Sequence, residues 1–347
     1  MNALPLGVCT RYGILGASSR LRYFQFREAF EAVGFVPRFH PFFPDSYLKR
    51  LYAGKGKSRS LAAAALLRRL AGTPFLPQRL LIEYELLPEL SFGIESCFLR
   101  GKRYVLNFDD DVWLKYRGRP ALEGKYDRLI AGASGVICAN DLLLERVEKL
   151  NPNTVKIPTA VDLDAYPVET EKFPRFTVAW IGTPVTYRYL ELHAEALRRM
   201  AQVAEFDLLV LAKKSLETRA LPGVSMRFEE WSAESEAALL SRCHIGIMPL
   251  PADDVFAAGK SAFKLIQYLA AGLPAIASPV GENRQVLLAE ETGFFASTPD
   301  EWAAALLRLR EEPVRGRMAA KARGLAFDFS TRKYGPVYAD FLKQTLA

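Results

Sequence analysis

The stretch that most constrains this sequence runs from Gly259 to Gln285 and reads GKSAFKLIQYLAAGLPAIASPVGENRQ. It follows a short apolar run, His244 to Leu250, whose length and flanking prolines are typical of a buried strand. The stretch itself predicts a helix that begins near Ser261 and ends before Gly272, followed by a second buried strand, PAIASPV. The order strand, helix, strand predicts a unit of a parallel α/β sheet.

Polar residues occupy a separate face of this predicted helix. Lys260, Lys264 and Gln267 are spaced i, i+4 and i+7, away from the apolar stripe. The unpaired N–H groups and the positive end of the helix dipole lie at the same end as the two lysines. We therefore expect a phosphate or diphosphate site here, because α/β proteins bind ligands at such strand-to-helix junctions. The alternative, that both lysines are solvated surface residues, stays open.

The tripeptide Gly259-Lys260-Ser261 also looks like the end of a phosphate-binding P-loop. That motif requires another glycine five positions before its second glycine, and Asp254 occupies the position. The P-loop interpretation therefore fails.

The segment KLIQYLAAGLPAIASPVGEN resembles the donor-nucleotide region of glycosyltransferase family 4, whose members are retaining enzymes of the GT-B fold. The family helix carries two glutamates, and here Gly259 stands at the first position and Gln267 at the second. The resemblance implies that the second position holds the ribose hydroxyls and that the first lies near the sugar or phosphate. Gln267 can exchange hydrogen bonds with a ribose, but without charge assistance.

The resemblance implies an α/β protein of GT-B fold, with two Rossmann-like doubly wound domains facing across a cleft. The strand-loop-helix order restarts in FTVAWIGTPVTYRYL, after a linker that contains two prolines. We expect an N-terminal acceptor-binding domain over residues 1–168 and a C-terminal nucleotide-sugar-binding domain over residues 173–329. We expect residues 330–347 to form a helix that crosses back to the N-terminal domain.

The composition indicates a globular protein of two domains. The chain has 347 residues, of which 50% are hydrophobic and 24% are charged. Its four cysteines form no CxxC pair, which is typical of reduced thiols. No signal peptide is recognised at the start, and no apolar run reaches the roughly 18 to 20 residues of a membrane span. We therefore expect a cytoplasmic protein.

The net charge of +7 comes from the first half of the sequence. Residues 46–82 contain eight lysines and arginines and no acidic residue. Such a basic, amphipathic stretch fits an anionic membrane surface, and this suggests a peripheral position on the cytoplasmic face of the membrane. A solvated face over a core helix is an equal alternative. Nucleic acid is not an expected partner, because no nucleic-acid motif is present.

Two groups of polar residues follow predicted strands in the first half. Gly16, Ser18, Ser19 and Arg20 lie in a loop that resembles the cleft loop of the family, and the alternative is that they only cap a helix. Asp109 to Asp111 follow another predicted strand and form the densest acidic cluster in the first half of the sequence. Three carboxylates suit a divalent cation, but the resemblance implies acceptor or sugar contacts for Asp109 and Asp110 and no metal for the chemistry.

The predicted donor site combines the loop after FTVAWI with the stretch described first. Its residues are Gly182, Thr183, Arg188, Gly259, Lys260, Ser261, Lys264, Gln267, Gly281, Glu282 and Asn283. Lys264, Asp109 and Asp110 are the predicted catalytic residues.

The resemblance implies a retaining glycosyltransferase that moves a sugar from a nucleotide-sugar donor to a glycan or lipid-linked acceptor, in cell-surface polysaccharide or glycolipid synthesis. No cofactor is expected. Two alternatives remain open at this point. One is a catalytically weakened nucleotide-sugar-binding protein, because both family glutamates are replaced; the other is a metal-dependent transferase or phosphatase centred on Asp109–Asp111.

Overall fold

A computed structural model describes residues 4–167, 169–214, 219–254, 257 and 259–347. The chain divides into two compact units: residues up to Ala160 together with Thr331–Ala347, and Val161–Ser330. The predicted end of the first domain, residue 168, lies outside the described residues. The division falls earlier than predicted because Tyr166 is buried in the core of the second unit.

The first unit contains a sheet of six parallel strands in the order β2-β1-β3-β4-β5-β6. The strands are largely apolar and mostly buried, as expected when helices cover both faces of a parallel sheet. They are β1 (Leu4–Cys9), β2 (Phe35–Phe39), β3 (Arg79–Glu83), β4 (Arg103–Phe108), β5 (Gly135–Cys138) and β6 (Thr154–Lys156).

Helices connect these strands. They are α1 (Ala17–Arg22), α2 (Arg27–Ala32), α3 (Asp45–Tyr52), α4 (Arg59–Gly72), α5 (Phe92–Leu99), α6 (Lys125–Ala131) and α7 (Asp141–Glu148). Short 3-10 helices cover Phe24–Phe26, Thr73–Phe75 and Val112–Tyr116.

The second unit repeats this plan with six parallel strands in the order β12-β11-β10-β7-β8-β9. They are β7 (Thr177–Ile181), β8 (Asp207–Ala212), β9 (Met226–Glu230), β10 (Ile245–Met248), β11 (Ala275–Ala277) and β12 (Gly293–Phe295). The helices are α8 (Pro184–Leu192), α9 (Ala194–Val203), α10 (Glu236–Ser241), α11 (Phe263–Ala270), α12 (Asn283–Val286), α13 (Pro299–Arg310) and α14 (Glu312–Leu325). Two 3-10 helices cover Leu163–Ala165 and Ala326–Phe329.

The last helix, α15 (Thr331–Leu346), packs in the core of the first unit. Its Tyr338, Leu342 and Leu346 are fully buried among side chains of β1 and α2. The Tyr338 hydroxyl also accepts a hydrogen bond from Asn107 Nδ2 at 2.7 Å. Residues 331–347 therefore complete the first unit, although they follow the second unit in the sequence.

Among the described residues, no helix is both long enough and apolar enough to span a bilayer.

A buried ion network fixes the segment that follows β3. Lys125 Nζ lies 2.6 Å from Glu85 Oε2 and 2.8 Å from Glu95 Oε2, and all three side chains are almost completely buried. Burial opposes the ionisation of Glu85, but Lys125 and Lys115 outweigh it and hold the pKa of Glu85 below its usual value. Burial raises the pKa of Glu95. The network is held together by Lys125, because this ammonium is shared by both carboxylates.

We expect Lys125→Met to lower the free energy of unfolding by about 3–5 kcal/mol, because two buried carboxylates lose their shared cation. Arg119→Met is the control: Arg119 pairs with Glu89 at 2.7 Å, but both side chains are about half exposed, so its loss should cost less than about 1 kcal/mol. Urea denaturation at neutral pH measures both changes. Equal effects of the two substitutions would contradict the role given to Lys125.

Candidate functional site

The loop before α11 brings two lysines to the carboxyl edge of the second sheet. The helix begins at Phe263, two residues after the predicted start near Ser261, and its N-cap is Ala262 and not Ser261. Ala262 takes the left-handed conformation, with φ of 51°, and its carbonyl accepts the Leu265 N–H at 2.9 Å. Left-handed backbone is uncommon for a residue other than glycine, and such residues concentrate at functional sites. The three residues before this turn are Gly259, Lys260 and Ser261.

Lys264 lies in the first turn of α11. Its side chain is half-buried, and Nζ lies 5.6 Å from the centre of the Trp180 ring. Lys260 Nζ lies 5.9 Å from the Tyr189 ring. Within the described part of the chain, neither ammonium has a hydrogen-bonding or ion-pairing acceptor. Burial, and then the charge of Lys260, lower the pKa of Lys264 to about 7. An anion at this point would supply the missing partner for both lysines.

Arg188, on α8, is placed differently. Its Nη2 lies 2.9 Å from Asp254 Oδ2 and donates to the Tyr189 hydroxyl at 3.1 Å. The guanidinium already has a carboxylate partner, so it is not an unpaired cation comparable to the lysines.

The loop that follows β7 passes close to the Trp180 ring at Gly182. A Cβ atom at Gly182 would lie 2.3 Å from the Trp180 ring, so a side chain does not fit there. Thr183 then caps α8, and its N–H donates to Thr186 Oγ1 at 3.0 Å. Gly182 thus keeps this turn close to the strand end beside Trp180.

The loop after β11 carries the last predicted donor residues. Gly281 has φ of 52°, a conformation that favours glycine, and Glu282 precedes the short helix α12. Asn283 is buried and its Nδ2 donates to the Ser278 carbonyl at 3.0 Å. Its Oδ1 is buried and has no hydrogen-bond donor among the described residues. This oxygen is an available acceptor next to the strand end.

Gln267 is buried and turned toward a carboxylate that the sequence analysis did not identify. Its Nε2 donates to Glu236 Oε1 at 2.5 Å. The other Glu236 oxygen accepts from Trp231 Nε1, and the Tyr166 hydroxyl donates to Oε1 at 3.4 Å. The position of the second family glutamate is therefore filled by an amide whose partner is itself an acid. No sequence spacing indicated this contact, because Glu236 lies on a different helix.

A cavity of about 630 Å³ opens elsewhere in the second unit, beside α8. Its lining includes Arg188, His193, Asp253 and Asp254, but neither Lys260 nor Lys264. Asp253, Asp254 and Glu195 in its lining disfavour a bound diphosphate there.

In the first unit, the loop after β1 is held by Glu83, the last residue of β3. Glu83 accepts hydrogen bonds from Ser18 Oγ at 2.8 Å, Ser19 Oγ at 2.7 Å and the Arg11 N–H at 2.6 Å. Burial, and then the charge of Asp109, raise the pKa of Glu83. Gly16 and Arg20 lie before and within α1. The two serines lie in the first turn of α1 without capping it, and their hydroxyls bind a buried carboxylate instead.

Asp109 and Asp111, two of the three aspartates after β4, have different partners. Asp109 accepts a hydrogen bond from the Tyr84 hydroxyl, and Tyr84 has a left-handed φ of 61°. Asp111 caps the following 3-10 helix and lies 3.8 Å from Arg146. Across the described residues, no group of three or more carboxylate, imidazole or thiol side chains is arranged to hold a metal ion. The geometry gives the metal-centred alternative no support.

The chain is similar to a known protein family in sequence and to known structures in fold. Residues 175–312, all within the second unit, match the model of the family described as Glycosyl transferases group 1. The second unit therefore contains a region similar to the glycosyltransferases of group 1. No curated protein sequence matches the chain at a significant level.

Solved structures show which fold the chain has. HepE from Anabaena, in complex with UDP-glucose, superposes with a TM-score of 0.69 at 13% identity and covers 98% of this chain and 100% of its own. Sucrose-phosphate synthase from Thermosynechococcus elongatus has a TM-score of 0.66 at 14% identity and covers 98% of both chains. The pneumococcal O-GlcNAc transferase GtfA, in complex with UDP and GlcNAc, has a TM-score of 0.59 at 15% identity. That match covers 81% of this chain and 60% of GtfA.

The two parallel six-stranded sheets of this chain thus have the GT-B fold that the sequence predicted. Sequence reasoning did not find Glu83 and Glu236. The only available signal for Glu83 was its position at the end of an apolar strand, LLIE.

The contact between Gln267 and Glu236 predicts the effect of restoring the family residue. We expect Gln267→Glu to lower the free energy of unfolding at neutral pH by about 1–3 kcal/mol, because two carboxylates would meet at hydrogen-bonding distance. In the folded variant the two carboxylates would share a proton, which raises the pKa of one of them. The loss of stability should therefore appear as the pH rises above about 4.3 and be small below it.

Exchanging the pair, Gln267→Glu together with Glu236→Gln, should restore most of this stability. Urea denaturation of the two single variants, the exchanged pair and the native chain, at acidic and neutral pH, gives the coupling energy. A Gln267→Glu variant as stable as the native chain at neutral pH would contradict the direct contact.

Proposed function

We propose that this chain is a glycosyltransferase that takes a sugar from a nucleotide-sugar donor and transfers it, with retention of configuration, to a glycan or lipid-linked acceptor. The donor diphosphate binds at the start of α11, and the reaction needs neither a metal nor another cofactor. The product belongs to cell-surface polysaccharide or glycolipid synthesis.

The observation that carries the proposal is the ammonium of Lys264, half-buried beside Lys260 without an acceptor among the described residues. Desolvation of an unpaired cation is unfavourable, so the arrangement is sustained only if an anion completes it in the working state. The N–H groups of the first turn of α11 add to the same positive potential.

This arrangement suits the departure of a diphosphate. As the bond between the sugar and the diphosphate breaks, negative charge grows on the leaving oxygen, and fixed cations stabilise that charge more than the starting state. Lys264 and Lys260 supply these cations. An acceptor hydroxyl attacks from the same face of the sugar, which retains the configuration.

Two structural relatives suggest which nucleotide to test first. HepE was solved with UDP-glucose, and GtfA was solved with UDP and GlcNAc. These ligands belong to those proteins, but they favour uridine over other bases as a starting hypothesis for this chain.

The carboxyl edge of the first sheet supplies the groups that we assign to the acceptor or the transferred sugar. Asp109 and Asp110 follow β4, and Ser18, Ser19 and Glu83 form a hydrogen-bonded group at the end of β3. Hydroxyl-rich ligands suit such a mixture of carboxylates and hydroxyls, which both accept and donate hydrogen bonds.

Thermal-shift binding of UDP, GDP, ADP and CDP tests the donor proposal. We expect one diphosphate to raise the melting temperature equally with Mg²⁺ and with EDTA, because a ligand that binds only the folded state stabilises it by mass action. No shift with any nucleotide would overturn the donor site, and a shift that requires the metal would overturn metal independence. Binding without turnover of any nucleotide sugar would indicate a nucleotide-sugar-binding protein.

The low pKa of Lys264 predicts how this binding depends on pH. Without ligand the pKa is lowered to about 7, and a bound diphosphate raises it by stabilising the ammonium. Above about pH 7, binding must therefore take up a proton, and the affinity should fall toward a limit of about tenfold per pH unit. Between that pH and about pH 6, where the terminal phosphate of the nucleotide itself takes up a proton, the affinity should be nearly constant.

Lys264→Arg is the matched variant, because a guanidinium remains charged throughout this range and should remove the decline. Lys264→Ala should weaken binding by about 1.5–3 kcal/mol at neutral pH through loss of a charge-assisted hydrogen bond. Titration calorimetry in buffers of different ionisation enthalpy measures both the affinity and the proton uptake. An affinity that is flat above neutral pH, or an equal slope in the arginine variant, would exclude Lys264 from the site.

A further inference from the structure

The most exposed large apolar side chains of the first unit lie on one stripe of α4 and its 3-10 extension. Phe75 is 88% exposed and Leu67 is 67% exposed. Ala63 and Ala71 are also exposed, so residues 63, 67, 71 and 75 recur at the spacing of one face of a helix. An ordinary solvated helix places polar residues on such a face.

Basic side chains precede this stripe without compensating acids. Lys49, Arg50, Lys55, Lys57 and Arg59 are all exposed. None of them pairs with a carboxylate in the part of the chain that the structure describes, and residues 46–82 contain no acidic residue. Arg59 begins α4 four residues before Ala63, so positive charge lies at the N-terminal end of the apolar stripe.

Two arginines of the same stretch are used inside the unit. Arg68 Nη2 donates to the carbonyls of Pro41 at 3.0 Å and Phe42 at 2.7 Å. Arg69 is buried, and its Nη2 donates to the His40 carbonyl at 2.6 Å. These bonds attach α4 to the loop that follows β2, at the carboxyl edge of the sheet. The helix is therefore held by its arginines while its apolar stripe faces outward.

We infer that this surface of α4, with Leu67 and Phe75 at its centre, docks onto a bilayer that contains anionic lipid. Apolar side chains enter the boundary between headgroups and acyl chains, and the lysines and arginines pair with anionic headgroups. A second copy of this chain is a poorer occupant, because a symmetric contact would place the same positive charges opposite each other.

Docking through α4 would bring this chain to a lipid-linked acceptor, and this use of the surface rests on the proposed function. The arginines tie α4 to the edge of the sheet that carries Ser18, Ser19 and Glu83. A bilayer against this helix would present a lipid-linked acceptor near that edge. Membrane binding itself requires no nucleotide, so it is measured separately from donor binding.

The test is flotation of the full chain with vesicles made either of phosphatidylcholine alone or of equal parts of phosphatidylcholine and phosphatidylglycerol. We expect binding to the anionic vesicles only, and a decline as salt rises through physiological ionic strength. Absence of binding to either vesicle, or equal binding to both, would overturn the inference.

Leu67→Ser together with Phe75→Ser should reduce the partition coefficient by about tenfold or more, because two inserted apolar side chains are lost. The matched control is Leu307→Ser together with Phe327→Ser, which changes the same residue types at exposed sites of the second unit. The control should bind vesicles like the native chain. Equal loss in both pairs, or no loss in the α4 pair, would overturn the role of this stripe.

Lys55→Gln together with Lys57→Gln tests the electrostatic part without touching the apolar stripe. Each charge removed should weaken binding to anionic vesicles by about fivefold. Circular dichroism and nucleotide-diphosphate binding check that every variant is folded. If the native chain instead forms dimers that the Leu67/Phe75 pair of substitutions abolishes, the stripe is a protein interface and the membrane inference is wrong.

Discussion

Parallel pairing of all the strands decides where polar side chains meet in this protein. Every strand of a parallel sheet ends at the same edge, so the loops that follow successive strands come together there. In the second unit this edge collects Gly182, Lys264 and Asn283, which are far apart in sequence. In the first unit it collects Ser18, Glu83 and Asp109. The chemistry of each unit therefore depends on strand order more than on any local motif.

Lys125, which is buried, and Lys264, which is half-buried, have opposite arrangements. Lys125 has two carboxylate partners and a backbone carbonyl, so its charge is compensated within the fold. Lys264 has no such partner among the described residues, and burial lowers its pKa. The first arrangement stabilises one conformation of the segment after β3. The second leaves an electrostatic requirement that the proposed diphosphate would satisfy, and this difference separates a structural lysine from a candidate binding lysine.

The pair Gln267 and Glu236 explains a departure that the sequence alone left puzzling. Replacement of the family glutamate by glutamine removes a charge at residue 267, but Glu236, on a neighbouring helix, places its carboxylate there and accepts a hydrogen bond from Gln267. A glutamate at residue 267 would face this acid directly. The glutamine is therefore the residue that the local electrostatics favour, and not simply a lost contact.

The two-sheet architecture, the helix that carries Lys264 and the basic character of residues 46–82 can all be predicted from the amino-acid sequence. Periodicity, apolar runs and helix-ending glycines are local signals, and they can be recognised without a structure. The groups that each polar side chain contacts are visible only in the three-dimensional structure. In the structure Arg188 pairs with Asp254, and Ser18 and Ser19 donate hydrogen bonds to Glu83. Helix α11 begins after a left-handed Ala262 instead of at Ser261. Arg68 and Arg69 donate to backbone carbonyls within the first unit. Except for the turn at Ala262, each of these contacts joins residues that are distant in sequence. The energy of a charge or a hydrogen bond depends on the groups that surround it in three dimensions and not on residue type.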